Sequence, residues 1–391
     1  MRERNLQLDL LRCAAIMGVL IEHTIVFRNT RWWWDRSLIG GSWTGVDLFF
    51  VISGFLISGL LFSEFQKRGR INFARFAIRR ALKLYPTLYV LVFGTTLWRL
   101  IHADFHDLVR IIKPALHDIF FVQSYFPGTY GHFWSLSVEE HFYILLPLTF
   151  YFMLRKRAAG DTDPFRKLPL IFLLVAVFSL AVRIVHAVLV QPYDNYKHLY
   201  PTHLRLDSLL FGVVLSYWSL FHRERFSALI NWSRPFLLPI SLLLIMPAFI
   251  SKPIFIIYTV QPSSLYLGYG GLMISLLQVP LTTTKSSYGW LLRPMSYIGQ
   301  HSYPIYVFHI EIMLQLLKHN LLHGFRGLVL YFVCTIGFGI LVSKAIEFPV
   351  LHLRDRIFPP VAVAEIPTGV SLKSESAVDK RLVDSRVDQA I

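Results

Sequence analysis

Charged side chains are scarce in this chain of 391 residues: Asp, Glu, Lys and Arg together make up only 16%, whereas 54% of the residues are hydrophobic. A soluble globular domain spends about a quarter of its residues on charge. Cysteine is scarcer still, because only Cys13 and Cys334 are present and both lie in apolar runs. These two residues exclude a disulfide framework and a CxxC metal site. The shortages favour an integral membrane protein over a soluble domain with a large core.

The charge that is present is mostly basic and gives a net charge of +15. Lysine and arginine lie in clusters between long apolar runs, which is typical of membrane topology, and no base-reading motif accompanies them. We therefore predict membrane lipid, and not nucleic acid, as a partner. The N-terminal 23 residues begin like a signal peptide, but their apolar core is short and lacks a small-x-small cleavage pattern. This segment is interpreted as a retained first span.

Windows of about 20 mainly apolar residues predict ten membrane-spanning helices. They cover residues 8–27, 44–62, 82–101, 132–154, 168–190, 204–221, 236–250, 264–281, 295–317 and 327–346. The loops after the second, fourth and sixth spans hold most of the loop lysine and arginine, which places them in the cytoplasm. The predicted fold is an all-α integral membrane bundle of about ten transmembrane helices with both termini cytoplasmic. The transmembrane domain covers residues 1–350, and residues 351–391 are predicted to be a disordered cytoplasmic tail.

An ionisable side chain inside a membrane span costs at least ~2.5 kcal/mol on insertion scales, so each one needs a partner, a cavity or a function. Arg12 and His23 are eleven residues apart in the first span. At 100° per residue this spacing leaves a net rotation of about 20° and a rise of about 16 Å, so both side chains lie on one helix face. Arg12 is then near the cytoplasmic boundary, where a snorkelling, topology-setting arginine is an equally good interpretation. His23 lies in the outer half of the membrane.

Further ionisable residues fall in the outer half when the same topology is applied to their spans: Asp47, Glu139, Glu140 and His309. Others lie toward the outer ends of their spans: Arg183, His186, Arg205 and Asp207. Acids and imidazoles at one depth indicate a polar cavity in which a neutral histidine can act as a general base. The alternative is a set of interhelical salt bridges and interfacial residues, which the pattern alone leaves open.

A basic group lies on the opposite, cytoplasmic side, at the entrance to the third span. It consists of Arg79, Arg80 and Lys83. Such a group binds phosphates or anionic lipid headgroups, and the residues alone favour lipid and topology. Glu347, at the end of the tenth span, is expected at the same level and is a candidate partner for one of the arginines, Arg12 included.

Six segments resemble motifs of the membrane-bound acyltransferase-3 family, in the family's order, over about residues 8 to 349. They are LDLLRCAAIMGVLIEH, GVDLFFVISGFLISGLL, RRALKLYP, FWSLSVEEHFYILLP, RLDSLLFG and HSYPIYVFH. The first is similar to the family's opening, an arginine followed after ten residues by a histidine. The last resembles its late-span Ser-Tyr-x-Ile-Tyr-x-x-His pattern. Each motif is short, but six in order make a strong resemblance.

The resemblance implies an enzyme that takes an acyl group, commonly acetyl, from coenzyme A in the cytoplasm and passes it to a hydroxyl, usually of a carbohydrate. We expect acetyl-coenzyme A as the donor substrate, no permanently bound cofactor or metal, and a carbohydrate or glycolipid acceptor. Polysaccharide biosynthesis machinery is a candidate partner, and the expected location is the inner (cytoplasmic) membrane. Some members carry an esterase-like domain after the membrane part. The sequence shows none, which argues against peptidoglycan as the acceptor.

The resemblance also implies that Arg12 and His23 are the essential pair and that Glu139 is an acidic residue of the fourth-span motif. Because the donor is cytoplasmic and the polar cluster lies toward the outside, the pantetheine arm must cross part of the bundle, with Arg12 lining its channel. The nucleotide phosphates are assigned to the basic group: Arg79, Arg80 and Lys83.

On this mechanism His23 takes the proton of the acceptor hydroxyl, and Glu139 or Asp47 orients its imidazole. A transient acyl-imidazole on His23 is the alternative. The other ionisable residues of the outer cluster are predicted to bind the acceptor: Glu140, His309, Arg205 and Asp207.

A proton-coupled secondary transporter is the rival class, because buried Asp, Glu and His also form proton relays. Duplicated halves and broken helices are not apparent in the sequence, and this favours the enzyme. External aromatic residues are candidates for stacking on sugar rings, although an interfacial aromatic belt is slightly favoured. These residues are Trp32, Trp33, Trp34 and Tyr130.

Overall fold

The computed structural model describes residues 5–27, 39–158, 160–250, 253–281 and 288–359. Within these ranges every regular element is helical. The helices of eight or more residues are α1 (Leu6–His23), α2 (Gly45–Arg68), α3 (Phe73–Ile101), α4 (Leu108–Ile119), α5 (Trp134–Arg155), α6 (Leu168–Leu189), α7 (Leu206–Phe221), α8 (Arg223–Ile245), α9 (Gln261–Leu277), α10 (Gly289–Gln300), α11 (Ser302–Lys318), α12 (Gly324–Val342) and α13 (Phe348–Ile357). The predicted all-α class is confirmed for the described residues.

Five helical segments in the described ranges are long and apolar enough to cross a membrane. They are Ile39–Arg68, Phe73–Ile101, Leu168–Leu189, Arg223–Phe249 and Gly324–Ile357. Helix α7 is apolar but shorter. The chain therefore has the helices of a multi-pass membrane protein. The count of ten spans and the cytoplasmic position of both termini stay predictions.

The ninth predicted span, residues 295–317, is not one helix. Helices α10 and α11 meet within it at His301, whose φ of −99° and ψ of 9° leave the α-helical range. Pro304 lies in the first turn of α11, where its missing N–H needs no helical partner. The prediction of a continuous helix here was wrong, and the interruption lies beside the candidate site described below.

Helix α4 was not predicted, because it is too short to span a membrane. It carries apolar side chains at Val109, Ile112 and Leu116 on one face, all of them exposed, while Arg110 and Lys113 lie between them in the sequence. This pattern is typical of a helix that lies along a membrane interface.

Residues Ser343–Glu347 form a π-helical turn between α12 and α13. Helix α13 continues to Ile357, beyond the predicted domain boundary at residue 350. Most of the predicted tail, residues 360–391, lies outside the described residues, as do Trp32, Trp33 and Trp34.

Helices α2 and α7 pack with their backbones in direct contact. A Cβ added to Gly54 would lie 1.9 Å from the carbonyl oxygen of Leu209, and one added to Gly212 would lie 2.3 Å from that of Val51. Only glycine permits so close an approach, which is a common way for helices to associate in membranes. This contact fixes α2, which carries Asp47, against α7.

Candidate active site

An inner cavity of about 160 Å³ lies between α1, α2, α3, α5 and the α10–α11 junction. Arg12, Arg80, Lys83 and Glu139 form its charged wall, and apolar side chains such as Phe49 form much of the remainder. The sequence predicted the three cations at one level and Glu139 at another. The structure brings all four to one cavity.

Arg80 is the centre of the charge network in the inner cavity. Its guanidinium lies 3.7 Å from Glu139 Oε2 and 4.0 Å above the centroid of the Tyr143 ring. It also donates a hydrogen bond to the Tyr143 hydroxyl, which in turn donates to Glu139 Oε2 at 2.7 Å. The side chains of Arg80 and Glu139 keep 20% and 14% of their surface exposed. This ion pair therefore remains open to a ligand in the cavity.

Two other cations of the inner cavity have acidic partners behind them. Arg12 lies 3.3 Å from Asp9, one turn earlier in α1, and keeps 35% of its side chain exposed. Lys83 donates to the buried carboxylate of Glu347, which also accepts a hydrogen bond from Ser343 at 2.7 Å. The expected pairing of Glu347 with an arginine was wrong, because the π-helical turn directs its carboxylate to Lys83.

A second, basic cavity of about 230 Å³ adjoins the inner one. Its lining includes Arg75, Arg79 and Arg354, and it shares Arg80 and Lys83 with the inner cavity. Arg79 lines only this basic cavity, where it lies 2.9 Å from Asp355 and donates to the carbonyl of Phe358. The predicted basic group is thus divided between the two cavities, with Arg80 and Lys83 where they meet.

Three histidines form an imidazole cluster at the other end of the inner cavity. The ring centroids of His23 and His309 are 4.7 Å apart, and those of His132 and His309 are 4.5 Å apart. Tyr306 lines the inner cavity, and its ring lies 5.3 Å from that of His132 and 5.5 Å from that of His309. The cluster, defined here as His23, His132 and His309, is therefore one side chain away from the cavity.

The backbone fixes the tautomers in the imidazole cluster. His23 Nδ1 lies 2.8 Å from the carbonyl oxygen of Val19, and His309 Nδ1 lies 2.5 Å from that of Tyr306. Because a carbonyl oxygen only accepts, each Nδ1 carries the hydrogen of the neutral ring. The Nε2 atoms of His23 and His309 are then bare lone pairs, as a general base requires.

The acids predicted to orient His23 do not do so. Asp47 forms an ion pair with Arg205, and Glu139 faces Arg80 and Tyr143. The ring of His23 is oriented by a carbonyl of its own helix instead. Spacing along a helix predicts how deep a side chain lies in the membrane. Which residues it contacts on other helices depends on the rotation of each helix.

Arg205 and Asp207, predicted to bind substrate, belong to two closed ion pairs. Arg205 binds Asp47, and Arg183 lies 2.8 Å from Asp207, with no exposed surface on any of the four side chains. Arg183 also donates to Ser263 at 2.8 Å. None of the four lines the inner or the basic cavity. Their contacts are those of interhelical links between α2, α6, α7 and α9.

Two further predicted residues face away from the inner cavity. Glu140 accepts a hydrogen bond from Tyr85 at 3.1 Å. Tyr130, a candidate for stacking on sugar, is only 2% exposed and donates to Glu311 at 2.6 Å. Its ring is therefore buried, which fits neither stacking on a sugar nor the slightly favoured interfacial aromatic belt.

The segment that carries His132 is held by a buried acid outside the spans. Asp118 Oδ2 accepts a hydrogen bond from the backbone N–H of Thr129 at 2.9 Å, and the Asp118 carbonyl accepts one from Gln123 at 3.3 Å. Burial raises the pKa of Asp118 to about 6, although its hydrogen bonds act in the opposite direction. His132 itself was missed by sequence reasoning, although the predicted fourth span begins at it, because the first residue of a span lies at the interface and carries no intramembrane penalty. Its position directly before the FWSLSVEEHF motif was the available signal.

No group of three or more His, Cys, Asp or Glu side chains in the described part of the chain is arranged to hold a metal ion. The chemistry available is that of imidazole bases beside a cationic cavity. A neutral imidazole base and a cationic cavity that can bind an anionic ligand together suit the transfer of an activated group to a hydroxyl.

The chain belongs to the acyltransferase-3 family, whose acyltransferase domain matches residues 5–347. It is similar to O-acetyltransferase OatA of Staphylococcus aureus (strain NCTC 8325 / PS 47), with 27% identity over 326 residues, 78% of this chain and 50% of the relative. A provisionally named O-acetyltransferase of S. aureus (strain COL) is 32% identical over 229 residues, 54% of this chain and 34% of that protein. The chain spans about half the length of the first of these relatives. No solved structure matches it.

Proposed function

We propose that this protein is an integral membrane O-acyltransferase that moves an acetyl group from cytoplasmic acetyl-coenzyme A to a hydroxyl of a cell-surface or secreted carbohydrate. The observation that carries the proposal is the arrangement of the basic cavity, the inner cavity and the imidazole cluster in series. Family membership and the O-acetyltransferase names of the relatives support it. We place the protein in the cytoplasmic membrane, with the basic cavity on the cytoplasmic side.

The donor enters through the basic cavity. Arg75, Arg79 and Arg354 offer fixed donors to the phosphates of coenzyme A, since guanidinium groups bind phosphate oxygens in pairs. The thin pantetheine arm then passes Arg80 and Lys83 into the inner cavity. Its apolar walls accept the chain of methylene groups and its charged wall accepts the amides, while the thioester end continues past Tyr306 toward the imidazole cluster.

His23 acts on the acceptor. Its bare Nε2 takes the proton of the hydroxyl as the oxygen attacks the thioester carbon, while the carbonyl of Val19 holds the ring through Nδ1. Arg12 lines the donor channel about 16 Å along α1 from His23, so it is placed to bind the donor chain and not the reacting carbonyl. An acyl-imidazole on His23 is the alternative route, with the same residues in place.

Two observations bear on the acceptor and the rival function. The closed ion pairs keep Arg205 and Asp207 away from a ligand, so we assign the acceptor to the side of His23 that faces away from the inner cavity. The break at His301 is an observation in favour of a transporter, because interrupted helices are common at transport sites. Coenzyme-A-independent solute flux through the purified protein is the result that this second candidate requires.

The central test replaces His23 by alanine. Membranes that contain the protein are incubated with acetyl-coenzyme A labelled in the acetyl group, and label in the glycan fraction is measured. We expect His23→Ala to lower transfer by about 10²- to 10⁴-fold, the usual contribution of a general base. His102→Ala removes a solvent-exposed histidine at the end of α3 and serves as the matched control. Full transfer by a normally inserted His23→Ala variant would refute the assignment.

A further inference from the structure

The imidazole cluster holds more basic nitrogen atoms than the transfer reaction uses. His132 Nε2 lies 3.4 Å from the carbonyl oxygen of Val307 and carries the hydrogen of its ring. Its Nδ1 is buried without a hydrogen-bond partner, and so is Nε2 of His309. Two bare lone pairs therefore lie in the interior beside His23. A buried acceptor left unpaired is unfavourable, so the pattern calls for a hydrogen that the resting cluster lacks.

His309 lies in the middle of the cluster. Its ring contacts that of His23 on one side and that of His132 on the other, at centroid distances of 4.7 and 4.5 Å. Its Nδ1 is occupied by the carbonyl of Tyr306, so only Nε2 is available to neighbours. Neither His309 Nε2 nor His132 Nδ1 has a hydrogen-bond partner among the described residues, so a hydrogen shared between the two atoms requires a small turn of one ring about its own bond.

No carboxylate is bonded to any ring of the cluster in the described part of the chain. The titratable groups packed against the rings are phenols: Tyr306 contacts His132 and His309, and Tyr130 contacts His132. Glu311 and Arg99 lie one step farther out, the first bonded to Tyr130 and the second 5.9 Å above its ring. The positive charge that forms on His23 during transfer therefore has no carboxylate bonded to it, since Glu22, the preceding residue of α1, has no hydrogen bond to the ring. Another acceptor must stabilise it.

We propose that His309 and His132 are positioning residues that hold the proton removed from the acceptor, as one hydrogen on His309 Nε2 shared with His132 Nδ1. This inference rests on the proposed function. The hydroxyl O–H bond breaks and its proton goes to His23 Nε2, while the C–O bond forms and the C–S bond of the thioester breaks. The proton passes to His309 Nε2, returns to His23 and ends on the coenzyme A thiolate. No oxidant or reductant is required.

The geometry of His132 provides a sharp test, because asparagine and glutamine imitate different nitrogen atoms of histidine. The amide oxygen of asparagine lies near the place of Nδ1, whereas that of glutamine lies near the place of Nε2. His132→Asn therefore keeps an acceptor for His309, and His132→Gln moves it away. We expect His132→Asn to transfer label within about threefold of the wild type, and His132→Gln to lose about ten- to a hundredfold, the effect of one hydrogen bond to a charged group.

The pH profile separates this role from a structural one. Labelled transfer from acetyl-coenzyme A is measured across the acid limb with membranes that contain the full chain. The midpoint of that limb is expected to move to lower pH in His132→Gln, because the protonated cluster has lost an acceptor, and to stay unchanged in His132→Asn. Equal rates and equal midpoints for the two variants, or a loss of rate with no shift, would overturn the inference.

A second position covers the case in which His132→Gln does not insert. His309→Gln places an amide near the position of Nε2, so it keeps a polar contact to both neighbours but cannot take up a proton. We expect it to reach the membrane in normal amounts, to transfer slowly and to show the same shift to lower pH. A wild-type acid limb in this variant contradicts the proposal. Absence of transfer by the wild-type protein would instead reject the proposed function itself.

Discussion

Arginine and acid are buried together in two regions of this protein, and the two regions differ in access. In the closed pairs, Arg205–Asp47 and Arg183–Asp207, all four side chains are fully buried. At the inner cavity, Arg80 and Glu139 are 3.7 Å apart and both keep some exposed surface. A closed pair has no room to exchange its partner, whereas an open pair can release a cation to an anionic ligand. The same chemistry therefore links helices in one region and prepares a site in the other.

Breaking a closed pair should give the largest effect. Arg205→Met leaves the carboxylate of Asp47 buried without its cation, and we expect the free energy of unfolding to fall by about 3–5 kcal/mol. The measurement is unfolding of the purified protein by a denaturing detergent. The double variant Arg205→Met with Asp47→Leu removes both charges and should recover most of the loss. Equal destabilisation by the single and double variants would show that the pair does not act as described.

A buried acid without a cation completes the comparison. Asp118 has no ion pair among the described residues, and burial raises its pKa from 3.8 to about 6. Between pH 3.8 and about 6, the carboxyl of Asp118 is therefore protonated in the folded protein and ionised in the unfolded chain. The contribution of Asp118 to the free energy of unfolding should be greatest below pH 3.8, fall as the pH rises to about 6 and then stay level, with a total change of up to about 3 kcal/mol, since one pKa unit corresponds to about 1.4 kcal/mol.

Asp118→Asn cannot lose that proton and still offers an oxygen to the N–H of Thr129. Its thermal midpoint should not depend on pH in this window, whereas that of the wild type should decrease. If the thermal midpoints of the wild type and of Asp118→Asn changed with pH in parallel, the pH dependence would come from other groups.

Removing a charge from the open pair at the inner cavity should have the smallest effect on the free energy of unfolding. Arg80→Gln removes a cation from a cavity that already admits solvent, so we expect little change in unfolding. The KM for acetyl-coenzyme A should rise about tenfold, the equivalent of one charge-assisted hydrogen bond. Arg110→Gln, on the exposed face of α4 and 84% accessible at its side chain, is the matched control. An unchanged KM for acetyl-coenzyme A in Arg80→Gln would show that Arg80 does not take part in donor binding.

Much of the fold could be predicted from the sequence, because apolar composition alone determines which segments are helical in a membrane. The predicted spans 168–190 and 204–221 agree with α6 and α7 to within about two residues. Helix α4 was missed because twelve residues are too few to form a span. The break at His301 was missed because a window of about 20 residues averages over the short polar segment at residues 299–302, although Gly299 and Pro304 flank the position.

The site was predicted less completely than the fold. Spacing along a helix gives depth and face, so Arg12 and His23 were predicted to share one face of α1, while their role came from the family resemblance. Which residues meet across helices depends on rotation and tilt, and these placed Asp47 against Arg205 and not beside His23. His132 opened the predicted span 132–154 but was passed over as an interfacial residue, and in the structure it precedes the first turn of α5.

The π-helical turn at Ser343–Glu347 has a consequence for the history of the chain. One residue inserted into a regular α-helix produces this geometry, and such turns are frequent at functional sites. Deleting that residue would turn the chain beyond it by about 100° and carry the carboxylate of Glu347 away from Lys83. The length of this segment therefore matters to the cavity as much as its side chains do. A single gap here in a related sequence should mark a change at the cavity even where every motif is intact.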